Sequence, residues 1–470
     1  MLQQTTPPTI EKPGRRSSFS PKTYPQGRPS ETGQRSRILL HPGKPDWVVL
    51  NATAWEIAVG FSEGYPTDEI ARSLRIKYSI SDEAARRDVE EVAGVLLRGS
   101  FLDGAQGKRP ARTPSMCSLS IHVTSRCNLG CLHCYVAPNG DRSPRDLPAE
   151  RISRLLDELA GQGGGLVAFS GGEPLLHPHL KEILRDAAPS AQLHLATNGT
   201  LIDPEWARLL ADLDVSVQVS LDGSQPRIHD AVRGDGAFHK ALAGIDRLQE
   251  AGLARKITLA ATVMGINLPD LENIIDLASR MGIPRVRFIP LRRVGRARET
   301  WHRIGEGISR ERCEAFCRYT EDLVAKGPPA VEVSCGVSGL LLKMPAGCRD
   351  DMWCPVGENL VVDVLGDIYP CVLMMGEAFK LGNVFQDSLA SALRSAKMQQ
   401  VCTVLSERPY RIPKCASCAW RHFCQSGCMG QALNEKGTLW ETDGFCDYRM
   451  GAYRRAFDRI LQRADSTQGP

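Results

Sequence analysis

Between Leu119 and Leu291 the chain carries six short, mostly apolar runs: "LSIHVT", "LVAFS", "QLHLAT", "VSVQVSL", "KITLAATV" and "VRFIPL". Helical patterns lie between them. Ile152, Leu155, Leu156 and Leu159 share one helical face, as do Leu271, Ile274, Ile275 and Ala278. Short apolar strands alternating with amphipathic helices form βαβ units, and such units lay their strands in parallel. The pattern predicts an α/β fold built on a partial, open (β/α)6 version of the TIM-like barrel. Chemistry in such folds sits at the C-terminal ends of the strands, so the loop after each run is where function is sought.

The chain has 470 residues, more than one core uses, so several domains are expected. Residues 1–37 are rich in Pro, Ser, Gly and Arg, hold seven Lys/Arg against two acids, and read as a disordered basic tail. They contain no apolar segment of the secretory-signal kind, and no run in the chain approaches the ~18–20 apolar residues of a membrane span. A cytoplasmic protein with no membrane partner is the expectation. Residues 38–104 read as a winged-helix-like module, beginning with the strand "DWVVLN" and closing with a strand after three helices. Thr53 with Glu56 suggests a capping box at the first helix, and Thr67 an N-cap at the second. Residues 105–116 form a Pro/Arg-rich linker, 117–300 the barrel, 301–347 a helical connector, 348–450 a cysteine-rich domain, and 451–470 a C-terminal helix or tail.

Sixteen cysteines are many for a chain without an export signal, and they cluster. In a reducing compartment such clusters favour metal or redox chemistry over disulfides. Directly after the first strand, "TSRCNLGCLHCYV" presents Cys127, Cys131 and Cys134 in C-x3-C-x2-C spacing. Three thiolates can hold three irons of a cubic iron–sulfur cluster and leave the fourth iron open to substrate. The competing reading is a zinc site completed by His133 or His122. After the second strand, "SGGEP" offers Gly171 and Gly172 for close backbone approach, Glu173 as a carboxylate for an ammonium group, and Pro174. After the fourth strand, Ser220 and Asp222 of "SLDG" suit hydroxyl contacts, or form a plain turn.

The three-cysteine loop followed by Gly-Gly-Glu-Pro after the next strand resembles the radical SAM enzymes over about residues 117–300. The resemblance implies a [4Fe–4S] cluster on Cys127, Cys131 and Cys134, whose open iron chelates S-adenosylmethionine. It further implies Glu173 on the methionyl ammonium and His133 where the family sets an aromatic near the adenine. Reductive cleavage of the cofactor would give a 5′-deoxyadenosyl radical that abstracts hydrogen from substrate. A flavodoxin or ferredoxin is the kind of electron donor expected.

The C-terminal cysteines resemble the SPASM signature: Cys354, eleven residues, Gly366, four residues, Cys371, then Cys415-x2-Cys418-x5-Cys424-x3-Cys428, seventeen residues and Cys446. With Cys348 upstream there are eight thiols. The resemblance implies two auxiliary [4Fe–4S] clusters, one on Cys348, Cys354, Cys371 and Cys428, the other on Cys415, Cys418, Cys424 and Cys446. Paired zinc ribbons are the rival. Cys117, Cys313, Cys317, Cys335 and Cys402 belong to no motif.

Residues 38–104 resemble the PqqD-like recognition element of peptide maturases, which docks a precursor's leader by strand addition. A DNA-binding winged helix is disfavoured by charge, since the segment holds seven Lys/Arg against eleven Asp/Glu. The whole resembles a SPASM-bearing maturase acting on a ribosomally made precursor peptide, forming a thioether or other crosslink. A haem-pathway enzyme is the alternative, with the Arg-rich "PLRRVGRARE" suited to a carboxylated tetrapyrrole. Sulfatase-maturating enzymes place an Asp where this chain has Val372, which counts against them. Anaerobic reconstitution should load about twelve irons per chain, and replacing Cys127, Cys131 and Cys134 by Ala should remove roughly a third of them. Recovery of tetrahedral zinc in place of iron would overturn the iron–sulfur reading.

Overall fold

The computed structural model describes residues 22–24, 36–102, 113–136, 145–163, 165–325, 330–334, 354 and 356–467. Cys335 and Cys348 lie outside the described residues, as do most of the tail and of the linker. The chain divides into two compact units. One comprises residues 1–108, 345–350 and 455–470, and the other residues 109–344 and 351–454.

In the first unit, strands β1 (Lys22–Tyr24), β2 (Ser36–Leu40) and β3 (Trp47–Asn51) form an antiparallel sheet in the order β1-β2-β3. The tail expected to be disordered thus supplies a strand. Helices α1 (Ala52–Ser62), α2 (Thr67–Tyr78) and α3 (Asp82–Arg98) follow. Leu39 and Leu50 of the sheet, Ala58 of α1, Leu96 of α3 and Phe101 make one core. Ile57, Ile70, Leu74 and Val89 make a second between the helices.

Three local expectations change. Asn51, not Thr53, caps α1, its side chain accepting from the Ala54 N–H at 2.8 Å. Glu56 instead reaches Lys77 and Tyr78. Thr67 is the first residue of α2 rather than its cap, because Pro66 takes the extended cap position. Among the described residues no strand directly follows α3: Ser100 turns through a left-handed conformation (φ 57°), and Phe101 drops into the core beside the His41 ring.

In the second unit, β4 (Ser118–Thr124), α4 (Ala149–Ala160), β5 (Gly165–Gly171), α5 (Leu180–Ala187), β6 (Ala191–Thr197), α6 (Pro204–Asp212) and β7 (Ser216–Ser220) begin the barrel. The helices α7 (Pro226–Arg233) and α8 (Ala237–Glu250), β8 (Ile257–Val263), α9 (Leu271–Arg280) and β9 (Arg285–Pro290) complete the six units. Strands β4 to β9 pair in sequence order, every pair parallel. The helical faces read from the sequence are the buried ones in α4 and α9. They pack on Leu119, Ile121, Val167, Phe169, Leu195, Val217, Val219, Leu259, Val286 and Phe288 in one continuous core. Since side chains alternate along a strand, the intervening residues point the other way. Among them are Ser120, His122, Ser170, His194, Gln218, Ser220, Thr258, Arg285 and Arg287, interspersed with small residues such as Ala168, Ala196 and Ala260. That face is polar, and it lines the barrel's concave side.

The sheet is wider than six strands. Helices α10 (Ala297–Ile304) and α11 (Arg310–Ala325) lead to β10 (Glu332–Ser334), which pairs parallel to β9. On the opposite edge β11 (Asn359–Val362) pairs parallel to β4, and β12 (Asp367–Tyr369) and β13 (Gly382–Asn383) continue antiparallel. The cysteine-rich region is therefore joined to the first barrel strand by a ladder of backbone hydrogen bonds. Ser118 Oγ adds a hydrogen bond to Asn359 Oδ1 at 3.0 Å. An unpaired β4 edge is a template for aggregation. A fragment ending at Ser334 should accordingly be far less soluble than one continuing through Thr467, as sedimentation of the two would reveal; equal solubility would show that β11 is dispensable.

Candidate radical SAM site

The three-cysteine loop leaves β4 at its C-terminal end and is held by backbone contacts from below. Gly172 N–H donates to Thr124 O, and Glu173 N–H to Arg126 O, each at 2.7 Å. Gly171 has a φ of 135°, and a Cβ on Gly172 would sit 2.1 Å from Arg126 O. The two glycines thus admit the chain's own cysteine loop, where the sequence suggested close approach without naming the partner. Arg126 grips Asp146 through two hydrogen bonds, at 2.6 and 3.2 Å.

Glu173 is buried beneath this junction. Its Oε1 accepts from Thr197 Oγ1 at 2.7 Å and Leu175 N–H at 3.2 Å, and its Oε2 from Asn198 N–H at 2.8 Å. Burial pushes its carboxyl up to about 7, against the pull of those donors. Asn198 in turn donates to Asn128 Oδ1 at 2.9 Å, and Asn128 to Thr200 Oγ1 at 2.8 Å. The "TNGT" turn after β6 is thereby tied to the loop between the first two cysteines.

Asp222, expected to meet a hydroxyl group, is committed inward. Its Oδ2 accepts from Arg233 Nε and pairs with His133 Nε2, both at 2.7 Å, while Oδ1 accepts from Thr262 N–H at 2.7 Å. Burial alone would raise its pKa, yet Arg233 and His133 hold it well below the usual carboxylate range. The His133 ring, expected against an adenine, is turned toward this carboxylate. Ser220 is half-buried at the end of β7, in register with Ala260. Arg233 Nη1 also reaches Cys131 Sγ at 3.7 Å. Burial raises the Cys131 thiol and Arg233 opposes it.

Part of the Arg-rich stretch serves the same loop. Arg296 Nη1 donates to Cys131 O at 2.9 Å, Arg296 N–H to Cys134 O at 2.9 Å, and Thr300 Oγ1 to Leu132 O at 2.7 Å. Cys127, Cys131 and Cys134 lie within electrostatic reach of one another, and Cys127 within reach of Glu173.

The spacing around Gly366 has a physical cause. Gly366 takes a φ of 80° in the turn between β11 and β12. Because these strands are antiparallel, Cys354 before β11 and Cys371 after β12 emerge at one end of the hairpin. Burial pushes the Cys371 thiol up to about 11, with Cys428 adding to the rise. Cys415 is raised by burial and by Cys424, Cys446 and Cys418 together. Gln425, Ser426 and Gly427 are all left-handed, winding the chain tightly from Cys424 to Cys428. Arg449 Nε donates to Cys424 Sγ at 3.2 Å and its guanidinium clasps Asp443. Arg408, fully buried, donates to the carbonyls of Leu439, Ser426 and Glu441. Of the cysteines outside the motifs, Cys317 and Cys402 are buried, Cys313 hydrogen-bonds Tyr448, and Cys117 is exposed.

Among the described residues no three His, Cys, Asp or Glu side chains converge on a single metal-ion position. The thiols gather instead as looser groups. Grouped thiols are soft donors of the kind that iron–sulfur clusters take, so the donor set fits such clusters.

Comparison with known proteins supplies the family. Residues 121–278 match the Radical SAM superfamily, 354–419 the SPASM iron–sulfur cluster-binding domain, and 37–102 the PqqD family of coenzyme PQQ synthesis protein D. The mycofactocin maturase MftC of Mycolicibacterium smegmatis is 30% identical over 315 residues, 66% of this chain and 77% of the relative. The chain belongs to the radical SAM enzymes. It carries a SPASM domain and an N-terminal PqqD-like domain. The Fe-coproporphyrin III synthase of Methanosarcina barkeri is also similar, 29% identical over 69% of this chain and 86% of that one. Among solved structures, Streptococcus suis SuiB bound to S-adenosylmethionine shares the fold, with a TM-score of 0.59 at 16% identity, covering 88% of this chain and 96% of SuiB. No helix among the described residues is long and apolar enough to cross a membrane.

Sequence reasoning missed Asn128, Thr197, Asn198, Arg233, Arg296 and Thr300. The Asn-Gly turn at a strand's C-terminal end was a usable signal for Asn198; Arg233 carried none. Gly172→Ala should displace the Thr124–Arg126 backbone, so that reconstituted iron falls by roughly a third while the far-ultraviolet circular dichroism is unchanged. A full iron complement in this variant would mean that the cysteine loop tolerates the displacement.

Proposed function

We propose that this enzyme modifies a ribosomally made precursor peptide, forming a thioether or other crosslink. The observation that carries the reading is the pairing, in one chain, of a PqqD-like unit with a radical SAM site. In that unit β3 is hydrogen-bonded to β2 only, so among the described residues its outer edge is open for an added strand. The acidic balance of residues 38–104 favours a peptide over nucleic acid. Similarity to a curated maturase supports the same reading.

Three [4Fe–4S] clusters are assigned: one on Cys127, Cys131 and Cys134, one on Cys348, Cys354, Cys371 and Cys428, and one on Cys415, Cys418, Cys424 and Cys446. S-adenosylmethionine held at the first would supply radical hydrogen abstraction from the peptide. Glu173 Oε2 accepts one hydrogen bond within the chain and keeps capacity for the methionyl ammonium. Gly171, Gly172 and Pro174 shape the floor on which that carboxylate is held, and Ser220 stands at the neighbouring strand end. His133 and Asp222 hold the cysteine loop against β7 and β8 beside the cofactor's seat. The reaction runs in the cytoplasm, with a flavodoxin or ferredoxin as donor.

The haem-pathway alternative draws on similarity to the coproporphyrin enzyme. It gives the PqqD-like unit no task. A chain starting at Ala105 should still cleave S-adenosylmethionine with a strong reductant. It should modify precursor poorly at low substrate concentration, because the leader no longer holds the core peptide near the site. Isothermal titration of the isolated N-terminal unit against the leader tests the contact directly. Equal modification rates for the two chains at low precursor concentration would sink the recognition role.

A further inference from the structure

The concave face of the barrel ends in a cleft at the C-terminal end of β9. Arg287 and Arg292 line it, facing Ser334, Cys428, Asp443 and Arg449 from the strand beyond and from the cysteine-rich region. Its charge is unbalanced. Asp443 accepts from both Nη1 and Nη2 of Arg449 and from Cys428 N–H, so its charge is already used. Neither Arg287 nor Arg292 has a side-chain hydrogen bond or ion pair among the described residues, and Arg292 Nη1 is buried with no acceptor. The two guanidiniums act on each other: partial desolvation and the charge of Arg292 both lower the Arg287 pKa, although the Arg287 side chain stays open to solvent.

A buried guanidinium nitrogen without an acceptor is costly, and two cations in one cleft raise the cost. Such a site is completed by an anion, and a planar fork of donors matches a carboxylate. The position is informative as well. Arg292 is close enough to bear electrostatically on Tyr135, next to Cys134, and on Cys371. The cleft therefore lies between the three-cysteine loop and the first auxiliary thiols. Its volume is about 180 Å³. Pockets for whole drug-sized ligands run to ~300–1,000 Å³, so this one suits a side chain or a chain end rather than a macrocycle.

We propose that Arg287 and Arg292 form a receptor for a carboxylate on the core segment of the peptide substrate, anchoring it in the barrel mouth. The proposal rests on the peptide-maturase reading. Two sources share this chemistry: an Asp or Glu side chain of the core, and the peptide's own C-terminus.

The test uses the iron-loaded full-length enzyme and, as candidate precursor, any short peptide found encoded beside its gene, in three forms. One is native, one is amidated at its C-terminus, and one has its core acids changed to Asn or Gln. One altered form should show kcat/KM lowered by about tenfold to a hundredfold, the usual weight of a charge-assisted hydrogen bond. Which form is affected identifies the source. Arg292→Gln and Arg287→Gln should each lower turnover of the native peptide and abolish its advantage over the affected form, with Arg292→Lys restoring part of it. Both Gln variants should retain the wild-type iron content. Three peptides modified equally well would overturn the carboxylate receptor while leaving the maturase reading in place. So would an Arg292→Gln variant whose auxiliary-cluster reduction potential moves while the peptide preference stays, since the cluster's own charge would then be the missing partner. Failure to modify any form, with a propionate-bearing tetrapyrrole driving turnover instead, would overturn the maturase reading itself.

Discussion

The buried carboxylate of Asp222 is the node on which the site's geometry depends. It takes hydrogen bonds from the cysteine loop through His133, from the end of α7 through Arg233, and from β8 through the Thr262 N–H. Its backbone is tied as well, its N–H to His229 Nδ1 and its carbonyl to Asn267 Nδ2. The first, fourth and fifth barrel units therefore share one charge. Such a node is a weak contributor to net stability, because desolvation offsets much of the attraction. What it supplies is registry. Removing the carboxylate would leave Arg233 buried without its counter-ion, a loss typically of ~3–5 kcal/mol, and would detach Cys131 from its donor.

A second constraint is the edge of the sheet. Parallel barrels that stop at six strands expose β4, and a strand edge must be covered or blunted. Here β11 covers it, with Asn359 to Val362 in register with Ser118 to Ile121. The same strand starts the hairpin that gathers Cys354 and Cys371. One element thus solves a folding problem and sets the first auxiliary thiols beside the barrel. The fixed distance from Gly366 to Cys371 follows from it, since the second strand must return to the end where the first began.

How much of this was legible in the sequence depended on range. The βαβ order, the helical faces of α4 and α9, and the three-cysteine loop were all legible, because each rests on local periodicity or spacing. The β11–β4 pairing was not, since Asn359 and Ser118 lie far apart in the chain and no pattern announces which edge a short strand will join. The strand-end position of Asp222 suits hydroxyl contacts, and nothing local in the sequence announces that Arg233 and His133 also meet its carboxylate. The missing strand after α3 has a smaller cause. "SFL" has the right residues, but Ser100 turns the chain and the core beside His41 takes Phe101 first.

The arginines beside the thiol groups follow a rule, and its exception is informative. Arg233 opposes the rise in the Cys131 pKa, Arg449 does so at Cys424, and Arg292 at Cys371. A cation beside each thiol group eases the thiolate that ligation requires. Such cations are costly to bury, and two of the three are neutralised within the fold: Arg233 by Asp222 at 2.7 Å and Arg449 by Asp443. Both pairs also bind backbone donors, so they were built as complete units. Arg292 has a thiol to influence but no carboxylate to match. In a chain that twice supplies the counter-ion from its own sequence, the cation at the barrel mouth is left open to a charge the described residues do not provide, either the neighbouring cluster's or that of the peptide bound there.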